Sequence, residues 1–96
     1  MYTVKSVNSN LLYTEKPVFT PSKDCIVSMV VENKTSIFAY VSFKLTKDLY
    51  RHIPVGAWSK ITLPEFVVKK NATLYGSTDF FTSGNVDCIL NVSELN

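Results

Sequence analysis

The chain has 96 residues, 46% of them hydrophobic and only 19% charged, with a formal charge of +2. That balance excludes a disordered chain, which would be rich in charge and poor in aromatics. It also lacks the clustered basic face expected of a nucleic-acid binder, and a single domain of this size leaves little room for a deep enclosed active site.

The first sixteen residues, MYTVKSVNSNLLYTEK, contain no uninterrupted apolar segment and no small-residue cleavage site, so a secretory leader is not expected and a cytoplasmic product is. No apolar run approaches the roughly 18 residues needed to cross a bilayer. Residues 2–7 alternate weakly and suit an edge strand or an extended arm within a segment 1–20. Leu11, Leu12 and Tyr13 form a short apolar stretch. Pro17 and Pro21 then punctuate 14–23, which reads as a surface connection because proline lacks the donor of a central strand.

The stretch Asp24–Leu45 organises the rest. Cys25, Val27, Met29 and Val31 recur at every second residue, and Ile37, Ala39, Val41, Phe43 and Leu45 do the same after the polar break Glu32–Ser36. Successive strand side chains point to opposite faces, so each set lines a buried side. If the two strands pair directly, an odd loop length is required, with Asn33 available for a left-handed position. If the chain crosses between two sheets, no such register rule applies.

Leu49, Tyr50 and Ile53 suggest a short strand ending at Pro54, with a single helical turn as the alternative, and Pro54-Val55-Gly56 a turn in which Gly56 is free to take positive φ. Ala57–Leu63 forms the next strand, closed by Pro64, and Phe66–Val68 another, closed by Lys69-Lys70-Asn71. Lys69-Lys70 suits a solvated turn or a blunted edge. Ala72, Leu74 and Gly76 alternate through 72–78, Thr82–Asn85 is a loop, and Val86, Cys88, Leu90 and Val92 give the last strand, with Ile89 breaking the pattern. The sum is a single all-β domain, 1–96, an antiparallel β-sandwich of immunoglobulin or jelly-roll type with about seven to eight strands.

Catalytic chemistry is short of parts. His52 is the only histidine, beside Arg51 and four residues after Asp48, and suits a surface position. The eight acidic residues are scattered singly, and three glycines make no phosphate loop. Two cysteines and one histidine far apart are not a zinc site; Cys25 and Cys88 read as buried thiols. No catalytic residue, cofactor or metal site is expected, and the chain reads as a non-enzyme. Asn-x-Ser/Thr triplets at Asn33, Asn71 and Asn91 read as turn and outward strand positions.

The aromatic residues, 12% of the chain, are the unusual feature. Phe80 and Phe81 are adjacent, so both cannot face one core from a strand. Trp58, Phe38 and Tyr40 also fall on non-core positions. Such residues mark protein contacts, unless the twist of the sandwich and the N-terminal segment cover them.

The order of features also carries a resemblance. Leu12-Tyr13-Thr14 precedes a proline segment, a strand closes on Val31-Glu32-Asn33-Lys34-Thr35, and Ile53-Pro54-Val55-Gly56 follows. Phe66–Asn71, Thr73-Leu74-Tyr75-Gly76-Ser77 and Val86–Leu95 complete the series. This resembles a group of small tailed-phage virion proteins over most of the chain, departing at Lys70-Asn71, where that group has a glycine-containing turn. The resemblance implies a virion structural protein, a capsid decoration (cement) protein or a neck- or tail-associated sandwich. Its partners would be the major capsid protein or neck and tail proteins. It further implies assembly in the host cytoplasm as a homo-oligomer, without nucleic acid or membrane. Tyr2 and Val4 of the N-terminal segment, Trp58, and Phe80 and Phe81 are the expected contact residues. The competing expectation is a carbohydrate- or receptor-binding module with Trp58, Tyr50 and Tyr75 as a stacking platform.

Overall fold

A computed structural model describes residues 2–95, with side chains described from Val4 to Leu95. Eight strands form two four-stranded antiparallel sheets. In chain order they are β1 (Tyr2–Leu11), β2 (Lys16–Phe19), β3 (Cys25–Asn33), β4 (Ala39–Lys44), β5 (Asp48–Val55), β6 (Lys60–Val68), β7 (Leu74–Ser77) and β8 (Val86–Leu95). One sheet has the order β1-β8-β3-β6 and the other β2-β7-β4-β5.

The pairing follows one rule. β1 pairs with β8, β2 with β7, β3 with β6 and β4 with β5, all antiparallel. The chain is thus one long hairpin, rolled so that β8 also meets β3 and β7 meets β4. This is jelly-roll topology, which decides between the two sandwich types expected from the sequence. The crossing alternative for the Asp24–Leu45 stretch also holds, since β3 and β4 lie in different sheets.

The core is where the alternation placed it. Cys25, Val27, Met29 and Val31 of β3 and Val86, Cys88, Leu90 and Val92 of the adjacent β8 share one sheet face, and with Ala39, Val41 and Phe43 of β4 in the other sheet they form one buried cluster. Each fully buried side chain of this kind contributes roughly 1.5–3 kcal/mol. Ile37 does not belong to that cluster; it is exposed in the loop before β4. Cys25 and Cys88 are buried free thiols, and burial pushes the Cys88 thiol up to about 12 and the Cys25 thiol upward as well.

Several boundaries differ from the sequence pattern, each for a local reason. The 14–23 segment is not only a connection: Lys16–Phe19 is strand, and it tolerates Pro17 because β2 is an edge with an irregularity between Pro17 and Phe19. Pro64 does not end a strand either. β6 runs through it, because the register with β3 slips between Leu63 and Phe66, a bulge that takes up the extra residue. Gly56 does not take positive φ. Trp58 does, at 57°, with His52 at 51°, Asn71 at 66° and Gly84 at 85°.

Asn33 is the largest departure. It lies at the inward end of β3, 1% exposed, rather than in a left-handed turn. Its Nδ2 donates to the carbonyls of Ile37 (2.7 Å), Val55 (3.1 Å) and Gly56 (3.1 Å). Its Oδ1 accepts from the Thr35 backbone N–H (2.9 Å) and hydroxyl (2.7 Å). The side chain therefore satisfies the backbone where the chain leaves one sheet for the other.

Candidate functional site

Because the strands alternate in direction, the connections 12–15, 34–38, 56–59 and 78–85 all lie at one end of the sandwich. The body measures 41 × 22 × 18 Å. A ten-residue strand spans about 33 Å, so the long axis follows the strands and these four loops form its tip.

Hydrogen bonds lace the loops together. Trp58 N–H donates to the Thr35 carbonyl, Lys34 N–H to Asn85, Thr78 N–H to Leu12 and Gly84 N–H to Leu11, all at 2.8–3.0 Å. Tyr13 N–H donates to the Ser83 hydroxyl. Asp79 is the hub. Its carboxylate accepts from Tyr40 N–H (2.9 Å), Thr82 N–H (3.0 Å) and the Thr82 hydroxyl (2.8 Å). It caps the short 3-10 turn Phe80–Thr82, whose one buried residue is Thr82. The Thr82 and Thr78 hydroxyls lie 2.7 Å apart. A buried anchor at Thr82 thus leaves the two preceding rings outside.

Among the described residues, the exposed large hydrophobic side chains concentrate at this tip. Leu12, Tyr13, Ile37, Phe38, Tyr40, Trp58, Phe80 and Phe81 are there, and only Val4, Val67 and Leu95 lie elsewhere. Phe81 is 81% exposed, Trp58 71% and Phe80 67%. Tyr13, Phe80 and Phe81 form an edge-to-face run with centroid spacings of 5.2 and 5.7 Å.

The sequence-predicted contact residues therefore divide. Trp58, Phe80 and Phe81 share the tip, and Val4 lies exposed near the start of β1, towards the opposite end. The side chain of Tyr2 lies outside the described residues. Of the two alternatives for the N-terminal segment, residues 2–11 take the edge strand. The aromatic platform does not assemble. Tyr50 packs edge-to-face on Phe66 and donates to the Pro64 carbonyl, while Tyr75 lies under the Lys44 ammonium on the second sheet. Sequence reasoning missed Tyr13, Leu12 and Ile37 as members of the tip; only the strand order brings them to it.

Other candidates for chemistry are dispersed. His52 is exposed, and its backbone N–H donates to the Ser42 hydroxyl, while Asp48 faces Arg51 at 3.7 Å. Among the described residues, no three His, Cys, Asp or Glu side chains gather as metal ligands. No helix of the described residues is long and apolar enough to cross a membrane. A shallow polar concavity of about 400 Å³ lies on the outer face of the β1 sheet, lined by Asn8, Ser9, Asn10, Glu32, Lys34, Asp87 and Ile89. Its groups are already partnered: Asp87 accepts from Asn10 and pairs with Lys34, and Glu32 faces Lys60. Burial opposes the charged form of Asp87, but the Asn10 and Lys34 hydrogen bonds and the Lys34 charge outweigh it and hold the carboxyl below its ordinary value.

What the geometry defines is an all-β jelly roll with an exposed aromatic tip. Comparison with family models, with curated proteins and with solved structures finds no match.

Proposed function

We propose that this chain is a non-enzymatic virion structural protein of a tailed phage that docks through its aromatic tip onto another protein of the particle, as a capsid decoration or cement protein does. The observation that carries the docking role is Trp58. Its backbone sits in the left-handed region at φ 57° and its ring is 71% exposed. The first costs roughly 1 kcal/mol or more, and the second forgoes the stabilisation that burying a large apolar ring would give. A glycine would serve the turn better, so the indole is kept for something outside the chain.

Phe80 and Phe81 support the same reading, because Asp79 and Thr82 fix the turn beneath them at the cost of ring exposure. A preorganised aromatic anchor set is what hot spots of protein interfaces require. The setting in a phage particle rests on the resemblance of the sequence, and the jelly roll, a scaffold used by viral capsid and lectin domains among others, is compatible with it.

The test is incorporation. In particles purified from a producing host, quantitative mass spectrometry is expected to find the protein in many copies. The double variant Phe80→Ser, Phe81→Ser is expected to fold and to be lost from the particle. Absence of the wild-type chain from the particle, or full incorporation of the double variant, overturns the proposal.

A further inference from the structure

Each four-stranded sheet leaves two edges, and the four edges are not alike. β2 is four residues long, carries Pro17 and has an irregular register. β5 carries Pro54, two register shifts and the left-handed His52. β6 carries Pro64 at its bulge, with Lys60 and Glu65 along it. Prolines, bulges, charges and short length are the devices that stop an edge from recruiting another strand. β1 has none of the first three in force: ten residues, no proline and unbroken register with β8 from Tyr2 to Leu11. Its one charge, Lys5, is tied back to its own sandwich by Glu94 at 3.4 Å and by the Phe19 ring.

We infer that β1 pairs edge to edge with β1 of a second copy of this chain, extending the β1-β8-β3-β6 sheet across a two-fold axis. A second copy supplies a strand of the same ten-residue length with the same unprotected edge. Alternate residues of an edge strand turn both N–H and C=O outward, so about five residues of β1 offer unpaired groups, and antiparallel pairing with a copy satisfies them reciprocally.

The side chains restrict the register, and we place the axis at Ser6, near the middle of the strand. A two-fold axis perpendicular to the sheet keeps outer face against outer face, so residue i meets residue j only when i + j is even. With the axis at Ser6, Ser6 meets Ser6, Val4 meets Asn8 and Lys5 meets Val7, and no like charges are opposed. An axis at Lys5 would set two ammonium groups against each other. Val4, Ser6, Asn8 and Asn10 are all exposed and uncharged on the outer face. This surface is separate from the aromatic tip, so a dimer would present two tips from one continuous sheet.

The experiment is sedimentation analysis of the wild type and of two charge variants at the proposed axis. One strand edge is small beside a standard interface of about 1,600 Å², so association is expected within about 5–500 µM. Ser6→Lys and Ser6→Glu lie on the exposed outer face and are expected to keep the wild-type dichroism spectrum. Each alone is expected to self-associate at least about fivefold more weakly, because only pairing of Ser6 with its own copy opposes like charges. An equimolar mixture of the two is expected to regain association. A monomeric wild type at about 500 µM overturns the inference, as does wild-type self-association of both single variants. So does association that survives both charge changes but disappears in Phe80→Ser, Phe81→Ser, which would place the contact at the tip.

Discussion

Replacing Asn33 tests how the aromatic tip is held. In Asn33→Ala the Ile37, Val55 and Gly56 carbonyls and the Thr35 N–H lose their common partner. The bond to Val55 is the buried one, so that carbonyl has least access to replacement water, an orphan worth about 1–3 kcal/mol. The more accessible partners add about 1 kcal/mol together, and the total is about 3 kcal/mol. For a domain of this size that lowers Tm by about 12–24 °C. Asn33→Asp is the sharper probe. It keeps the shape and the acceptor but turns a carboxylate oxygen towards three carbonyl oxygens, so at pH 7 it is expected to cost at least as much as alanine. Because the folded environment disfavours its charge, its folded pKa lies above the unfolded value near 3.9. Its deficit therefore shrinks as the pH falls through the folded value, when the protonated acid can donate. Calorimetry or far-ultraviolet dichroism during urea unfolding reads this out; Trp58 is a poor fluorescent reporter because it is already exposed. A tolerated Asn33→Asp at pH 7, within about 0.5 kcal/mol of wild type, would refute the account.

Further outcomes follow from individual contacts. Trp58→Gly is expected to unfold no earlier than the wild type, since it relieves a left-handed residue, while losing incorporation into particles; a thermal melt beside the particle assay checks both. Gly76→Ala places a methyl 2.8 Å from the buried Phe43 ring and 3.0 Å from Val18. It is expected to cost about 1–3 kcal/mol in urea unfolding. Cys88, with its thiol pushed up to about 12 from 9.0, contributes stability that is full below pH 9 and lost as pH rises towards 12. The loss is about 4 kcal/mol, so Cys88→Ala should show a flatter alkaline limb in a stability–pH profile. Asp87, with its carboxyl held low, contributes stability above its unfolded value near 3.8 that is lost as pH falls through the folded one. Asp87→Asn should accordingly flatten the acid limb of the same profile.

The fold class was legible because the inward positions of β3 and β8 are apolar at every second residue without interruption from Cys25 to Val31 and from Val86 to Val92. What escaped the sequence pattern is what depends on a neighbour. Pro17 reads as a strand breaker until β2 is known to be an edge, and Pro64 until β6 is known to bulge against β3. Asn33 reads as a turn residue because only the crossover places three carbonyls around it. Exposure of Phe80 and Phe81 was foreseeable from their adjacency. Their company was not, since Tyr13 and Phe80 are far apart in the chain and meet only because β1 and β8 are paired.

The position of β8 has a kinetic corollary. It lies between β1 and β3, so until its residues arrive that sheet is two separated pieces, and the Gly84 bond to the Leu11 carbonyl, next to the Leu11–Val86 pair, has no ladder to fix it. Long-range closure of this kind is slow compared with local helix formation. A half-made molecule would accordingly have an incoherent tip, and the attachment proposed for it would be reserved for copies whose last strand has already zipped into place.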